Sequence, residues 1–203
     1  MVGAESNFDE DAPGQAYVIY GGPAGFSLPQ IAGTAGANTL TGSSQSERLI
    51  GGGGDDILTG NGGADVYLGG SGGDTIFIGT GSFFRIDGGT GEDSLLTNGN
   101  LDFTLIDDAA MKSIEAIDVT GNGAQALVFS ASDVLAIEAS NNNPLGSGLY
   151  NVLFLAGDAA DTLHLTGGLV DTGTDFNFGP LSFDLYAVNG HVVLAVQSEF
   201  ALV

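Results

Sequence analysis

The chain has 203 residues, 35 of them glycine, with 43% apolar residues, no cysteine and no tryptophan. It is long enough for one domain or two small ones, and the absence of cysteine excludes a disulfide framework and a thiol nucleophile. Its net charge of -22 disfavours nucleic acid and anionic membranes and favours cations as partners.

Residues 1–11 carry no basic residue and no sustained apolar run, so they are not expected to act as a Sec-type signal peptide. No segment is long enough to span a membrane, and no membrane insertion is expected. The next stretch, Gly14-Gln15-Ala16-Tyr17-Val18-Ile19-Tyr20-Gly21-Gly22-Pro23-Ala24-Gly25-Phe26, resembles the closing strand and turn of an FG-GAP repeat from integrin-type propellers. The match spans about half of one repeat and lacks the Asp-x-Asp-x-Asp-Gly calcium loop. That resemblance implies the C-terminal piece of a longer secreted protein with a propeller upstream. The alternative is a lone edge strand capping the solenoid.

From residue 33 the chain counts in nines. Residues 51–59 read Gly-Gly-Gly-Gly-Asp-Asp-Ile-Leu-Thr, residues 60–68 Gly-Asn-Gly-Gly-Ala-Asp-Val-Tyr-Leu, and residues 69–77 Gly-Gly-Ser-Gly-Gly-Asp-Thr-Ile-Phe. Residues 88–96, Gly-Gly-Thr-Gly-Glu-Asp-Ser-Leu-Leu, form a fourth unit. All fit G-G-x-G-x-D-x-U-x, with Asn61 the one substituted glycine. Two earlier units keep the phase but change the acid: residues 33–41 put Asn38 there and residues 42–50 put Glu47. A flexible glycine linker would not repeat an aspartate and an aliphatic residue in fixed phase.

Glycines at positions 1, 2 and 4 allow positive φ and leave their carbonyls unshielded, free to turn towards a cation. Positions 7–9 form a short strand whose middle residue (Leu58, Tyr67, Ile76, Leu95) points inward by the alternation of strands. Two units make one turn of a coil, so equivalent positions recur every 18 residues, as Asp56 and Asp74 do. A cation between stacked turns would take carboxylate oxygen from both and carbonyl oxygen from the glycine loops, the hard donor set that calcium prefers.

The candidate ligands are therefore Asp56, Asp74 and Asp93 on one face, with Asn38 as a weak member, and Asp65 with Glu47 on the other. Their loops contribute Gly51, Gly52, Gly54, Gly60, Gly63, Gly69, Gly70, Gly72, Gly88, Gly89 and Gly91. Ile78 breaks the phase by one residue and residues 79–87 carry Phe84 in place of aspartate, so a site at Asp93 requires a local bulge. The array resembles the calcium-binding nonapeptide of RTX (repeat-in-toxin) proteins, which implies calcium as cofactor and a parallel β-roll as fold.

Eight carboxylates face two arginines within residues 31–97. Such a segment is expected to be loose without metal, since self-repulsion and glycine entropy oppose folding. Extracellular calcium modules bind with dissociation constants of roughly 0.1–1 mM, so location would set the switch.

Beyond Leu96 the glycine phase stops and apolar runs take over at residues 101–106, 114–119, 126–129, 150–155, 162–165, 183–188 and 191–196, as in strands. Ser130-Ala131-Ser132-Asp133 fits a helix cap, residues 118–123 a tight turn, residues 141–148 a loop, and Asn189-Gly190 a hairpin turn. The segments Ser113-Ile114-Glu115-Ala116-Ile117-Asp118-Val119-Thr120-Gly121, residues 127–135 and Ala156-Gly157-Asp158-Ala159-Ala160-Asp161-Thr162-Leu163 resemble the module that closes large RTX adhesins and exoproteins of Gram-negative bacteria. This implies type I secretion machinery as a partner, an uncleaved C-terminal signal ending in Glu199-Phe200-Ala201-Leu202-Val203, and an extracellular location.

Catalytic signals are weak. Gly69-Gly70-Ser71-Gly72-Gly73 satisfies G-x-S-x-G but sits inside a nonapeptide, and His164 and His191 lie in strand-like runs without a metal-ligand partner. Asp55-Asp56 belongs to the repeat and Asp107-Asp108 to a solvated turn. Clustered Phe176, Phe178 and Phe183 suggest core packing before a carbohydrate or surface ligand.

The expected protein is all-β and non-enzymatic. An N-terminal segment (residues 1–30) precedes a calcium-binding parallel β-roll (31–97) and a β-rich C-terminal module (98–203), the latter in part a continuing solenoid with a final antiparallel hairpin. Its function is calcium-driven folding of a secreted adhesin or exoprotein module. The alternative is the accessory tail of a secreted hydrolase.

Overall fold

The computed structural model describes residues 17–19, 28–80, 82–121, 123–137, 149 and 151–203. The FG-GAP-like stretch lies outside these residues apart from the strand Tyr17–Ile19, as do the expected loop at 141–148 and Asn122 of the expected turn. Tyr17–Ile19 pairs antiparallel with Gln30–Ala32 and closes one sheet edge.

The nine-residue count becomes a coil of two strands per turn. One sheet stacks Thr39–Thr41, Ile57–Thr59, Thr75–Gly79 and Ser94–Thr97 in parallel; the facing sheet stacks Gln30–Ala32, Arg48–Gly53, Ala64–Ser71, Ser82–Thr90 and Met111–Lys112, also in parallel. Register follows the sequence spacing: Thr39 lies opposite Ile57, and Ile57 opposite Thr75. One apolar side chain per unit enters the space between the sheets, and Leu40, Leu49, Leu58, Tyr67, Ile76, Ile86 and Leu95 are all at most 2% exposed. Burying each is worth about 1.5–3 kcal/mol.

The phase break at Ile78 is absorbed by two irregularities. Asp65 pairs with Phe83 but Val66 pairs with Arg85, which expels Phe84 into solvent, and on the other sheet the register shifts between Phe77 and Gly79. The coil continues past both.

The stacking does not end with the glycine array. Ala116–Asp118, Leu153–Ala156 and His191–Gln197 extend the first sheet in parallel, and one buried cluster runs from Ile31 to Phe200. Leu101–Asp102, Ala126–Ser130, Thr162–Thr166 and Ala201–Leu202 form a third parallel sheet. The short helix Ala131–Ile137 follows Ser130, whose N–H donates to Asp133 Oδ2 while the Asp133 N–H points back to the Ser130 hydroxyl, a reciprocal cap. No helix among the described residues is long and apolar enough to cross a membrane.

The first sheet ends in an antiparallel meander. Leu181–Val188 and His191–Gln197 are joined through Asn189 and Gly190, both at positive φ (52° and 82°), as the sequence pair predicts. The outermost strand, Val170–Phe178, was not expected: it is exposed along nearly its whole length, so it has no alternation to read, and its pairing with Leu181–Val188 alone defines it. Phe176 and Phe183 pack edge-on against Phe154, at centroid distances of 6.2 and 5.3 Å, whereas Phe178 is exposed.

Candidate metal centre

Each turn of the coil presents its sixth residue to the next. On the first edge the Asn38 N–H donates to Asp56 Oδ1 (2.7 Å), Asp56 N–H to Asp74 Oδ1 (2.8 Å), Asp74 N–H to Asp93 Oδ1 (2.8 Å) and Asp93 N–H to Glu115 (2.6 Å). One carboxylate oxygen per aspartate is thus committed to the neighbouring backbone. The other is not: Asp56 Oδ2, Asp74 Oδ2 and Asp93 Oδ2 are buried with no hydrogen-bond partner, in residues only 1% exposed. An unsatisfied buried acceptor costs about 1–3 kcal/mol, and more when charged, so three in one column need a cation or protons.

The glycines at position 1 form the rest of each cradle. A methyl group on Gly51 would collide with Asp56 Oδ2 and the Gly69 carbonyl oxygen; on Gly69, with Asp74 Oδ2 and the Gly88 carbonyl; on Gly88, with Asp93 Oδ2 and the Ser113 carbonyl. Each cradle therefore pairs an unpartnered carboxylate oxygen with a carbonyl from the next turn. At positions 2 and 4 the glycines take positive φ, from 81° at Gly63 to 132° at Gly91, and Gly52, Gly54, Gly70, Gly72 and Gly89 lie between. A side chain there would meet the backbone of the preceding turn.

The donors are all oxygen, which fits a hard cation. No cluster of three or more acidic or histidine side chains that could hold a metal occurs among the described residues. Carbonyls must supply the balance. Burial pushes the Asp56 carboxyl upward, Asp74 to about 6 and Asp93 to about 7, with neighbouring carboxylates adding to the effect for all three.

The column's last two members were missed by template counting. Ser113 supplies the carbonyl beside Gly88 where earlier turns use a position-1 glycine, and Glu115 follows Asp93 by 22 residues instead of 18. The legible signal is the triplet Glu115-Ala116-Ile117, an acid two residues before a fully buried apolar side chain, as in Asp56-Ile57-Leu58.

The second edge is built differently. Glu47 N–H donates to Asp65 Oδ1 (2.8 Å), so the rung is present, but Asp65 Oδ2 accepts from the Tyr67 hydroxyl (3.1 Å). Both Glu47 oxygens bind Ser43, one its hydroxyl and one its N–H. Asn38, at the start of the first edge, likewise turns its oxygen to Thr34. Further on, Asp161 Oδ1 accepts from Gln125 N–H and Oδ2 from Asp158 N–H, and the Phe200 ring fills the space beside Gly157.

Ser71 of the G-x-S-x-G match lies at the end of strand Ala64–Ser71, with no helix after it, and His164 Nδ1 lies 2.7 Å from the Val203 carbonyl.

These features define a parallel β-roll with a column of buried, unpartnered carboxylate oxygens along one edge. The family model of the RTX calcium-binding nonapeptide repeat (4 copies) matches residues 30–46 and 41–76. The first coil turns are thus similar to RTX repeats, and calcium is the ion such repeats bind. Comparison with curated proteins finds none that matches.

Proposed function

We propose that the chain is the calcium-folded module of a secreted adhesin or exoprotein, and that its first edge takes up to three ions at Asp56, Asp74 and Asp93. The observation that carries this is the stacked column of three buried, unpartnered Oδ2 atoms, each beside a glycine cradle. The bound ion would supply the positive charge and oxygen coordination that those atoms lack. The chain's own part is positional. The N–H to Oδ1 rungs hold each carboxylate at a fixed height, and the Gly69, Gly88 and Ser113 carbonyls of the following turns lie beside Asp56, Asp74 and Asp93 in turn.

Residues 31–97 act as the metal-dependent roll and residues 98–203 as the module that caps it. RTX repeats are typical of secreted proteins, which supports an extracellular site, and the resemblance of residues 113–163 to adhesin-closing modules supports type I export. The net charge of -22 suits a chain that stays extended until it meets calcium.

The test is calcium titration of the purified chain followed by far-UV circular dichroism and calorimetry, with magnesium as control. Strand signal should rise at sub-millimolar to millimolar calcium, and Asp56→Ala with Asp74→Ala should remove most of the rise. A chain that binds no calcium and is fully folded in chelator would overturn the proposal.

A further inference from the structure

On the first edge the position-6 oxygens are left for a cation; on the second edge the protein itself occupies them. Three contacts make the difference. The Tyr67 side chain stands at the inward position held by leucine or isoleucine in most other units, and its hydroxyl reaches past the core to Asp65 Oδ2. It enters the Gly60 cradle: a methyl group on Gly60 would collide with both the Tyr67 hydroxyl and Asp65 Oδ2, where the equivalent probe on Gly51 or Gly69 meets a carboxylate and a carbonyl. Asn61, the one residue that departs from the template glycines, keeps the positive φ (66°) that the loop needs and donates its amide to the Gly42 carbonyl (3.2 Å). In the neighbouring cradle, the extra methylene of Glu47 lets its carboxylate fold onto Ser43.

We infer that the roll is one-sided: the Tyr67 hydroxyl, the Asn61 amide and Ser43 take the cation's place on the second edge, leaving calcium to the first. The inference rests on calcium binding at the first edge and adds which edge is metal-independent. The hydroxyl donates one hydrogen bond where an ion would gather six or more oxygens, and in exchange the edge is satisfied without any ion. Three departures from the repeat (Asn61, Tyr67 and Glu47 with Ser43) that look like decay in the sequence form one compensating set in space.

The experiment is calcium stoichiometry by calorimetry and by native mass spectrometry on the full chain. Three variants serve: Asp65→Asn, Tyr67→Leu, and Tyr67→Leu with Asp65→Asn. Asp65→Asn should leave the number of bound ions unchanged. Tyr67→Leu, which restores the template residue and frees Asp65 Oδ2, should gain one ion, and adding Asp65→Asn should abolish the gain. Tyr67→Phe, which removes only the hydroxyl, serves if the leucine variant folds poorly, and it should gain the same ion. Loss of one ion in Asp65→Asn would overturn the inference, as would no gain in a folded Tyr67→Leu or Tyr67→Phe chain. If the unaltered chain binds no calcium at all, the first-edge reading fails instead, and the two failures are distinct.

Discussion

At the scale of single residues, the aspartates of the column have two oxygens with two duties, and the duties respond differently to substitution. Asp74→Asn keeps an acceptor for the Asp56 N–H but removes the charge facing the Gly69 cradle; calorimetry should find one ion fewer with the fold retained at high calcium. Protons compete for the same oxygens. Because burial raises Asp74 to about 6 and Asp93 to about 7 from an ordinary 3.8, the metal-free fold holds protons that the unfolded chain has already released. Its stability therefore falls as pH rises from near 4 through about 7 and is level above that. In chelator, far-UV circular dichroism should show more residual strand at about pH 5 than at about pH 8, while calcium affinity should climb over the same window as the protons leave. In the core, Ile76→Ala removes a fully buried side chain between two sheets and should cost about 2–5 kcal/mol, read as a reduced unfolding midpoint at saturating calcium.

At the scale of elements, the units that obey G-G-x-G-x-D-x-U-x are legible because each position meets a single physical demand. Glycine supplies positive φ, aspartate lines the cradle and an aliphatic residue fills the core. Where those demands are met by other residue types, legibility ends. Ser113 supplies the carbonyl that a position-1 glycine supplies in earlier turns, which its residue type does not announce, and Glu115 joins the column only because strand Ala116–Asp118 pairs with Ser94–Thr97. Strand Val170–Phe178 has no inward face at all, so only its partner strand reveals it. Phe84 was legible as out of place and the extra residue as a bulge, but that Phe84 is the residue expelled shows only in the strand pairing. The helix Ala131–Ile137, by contrast, is written in its cap. Ser130→Ala removes the serine hydroxyl of that cap and should lower stability by about 1 kcal/mol, measured by thermal unfolding with calcium present.

At the scale of the whole molecule, the two parts of the chain solve the same problem with different materials. The glycine array has one core side chain per nine residues, and its first edge carries unpartnered oxygens. The later turns bury Ile114, Ile117, Val119, Leu127, Phe129, Leu153, Leu155 and Leu163, all at 0–1% exposure, and satisfy Asp161 with backbone N–H groups. Chelation should therefore raise hydrogen exchange within residues 33–97 much more than within residues 114–196, a contrast readable peptide by peptide. Equal loss of protection in both would mean that the parts unfold as one.

The rungs of the first edge also have a direction. The N–H groups of Asn38, Asp56, Asp74 and Asp93 each find a carboxylate one turn further towards the C-terminus, ending at Glu115, whose own N–H donates back to the Asp93 carbonyl. The next amide along runs the other way, since Ile57, Thr75 and Ser94 donate to the Asn38, Asp56 and Asp74 carbonyls of the preceding turn. Removing turns from the N-terminal end would therefore leave the remaining carboxylate-bound amides of the column served, while a cut just after residue 97 would strand the Asp93 amide and open the column. In this column the C-terminal part supplies the last acceptor, and the open end of the ladder faces the N-terminus.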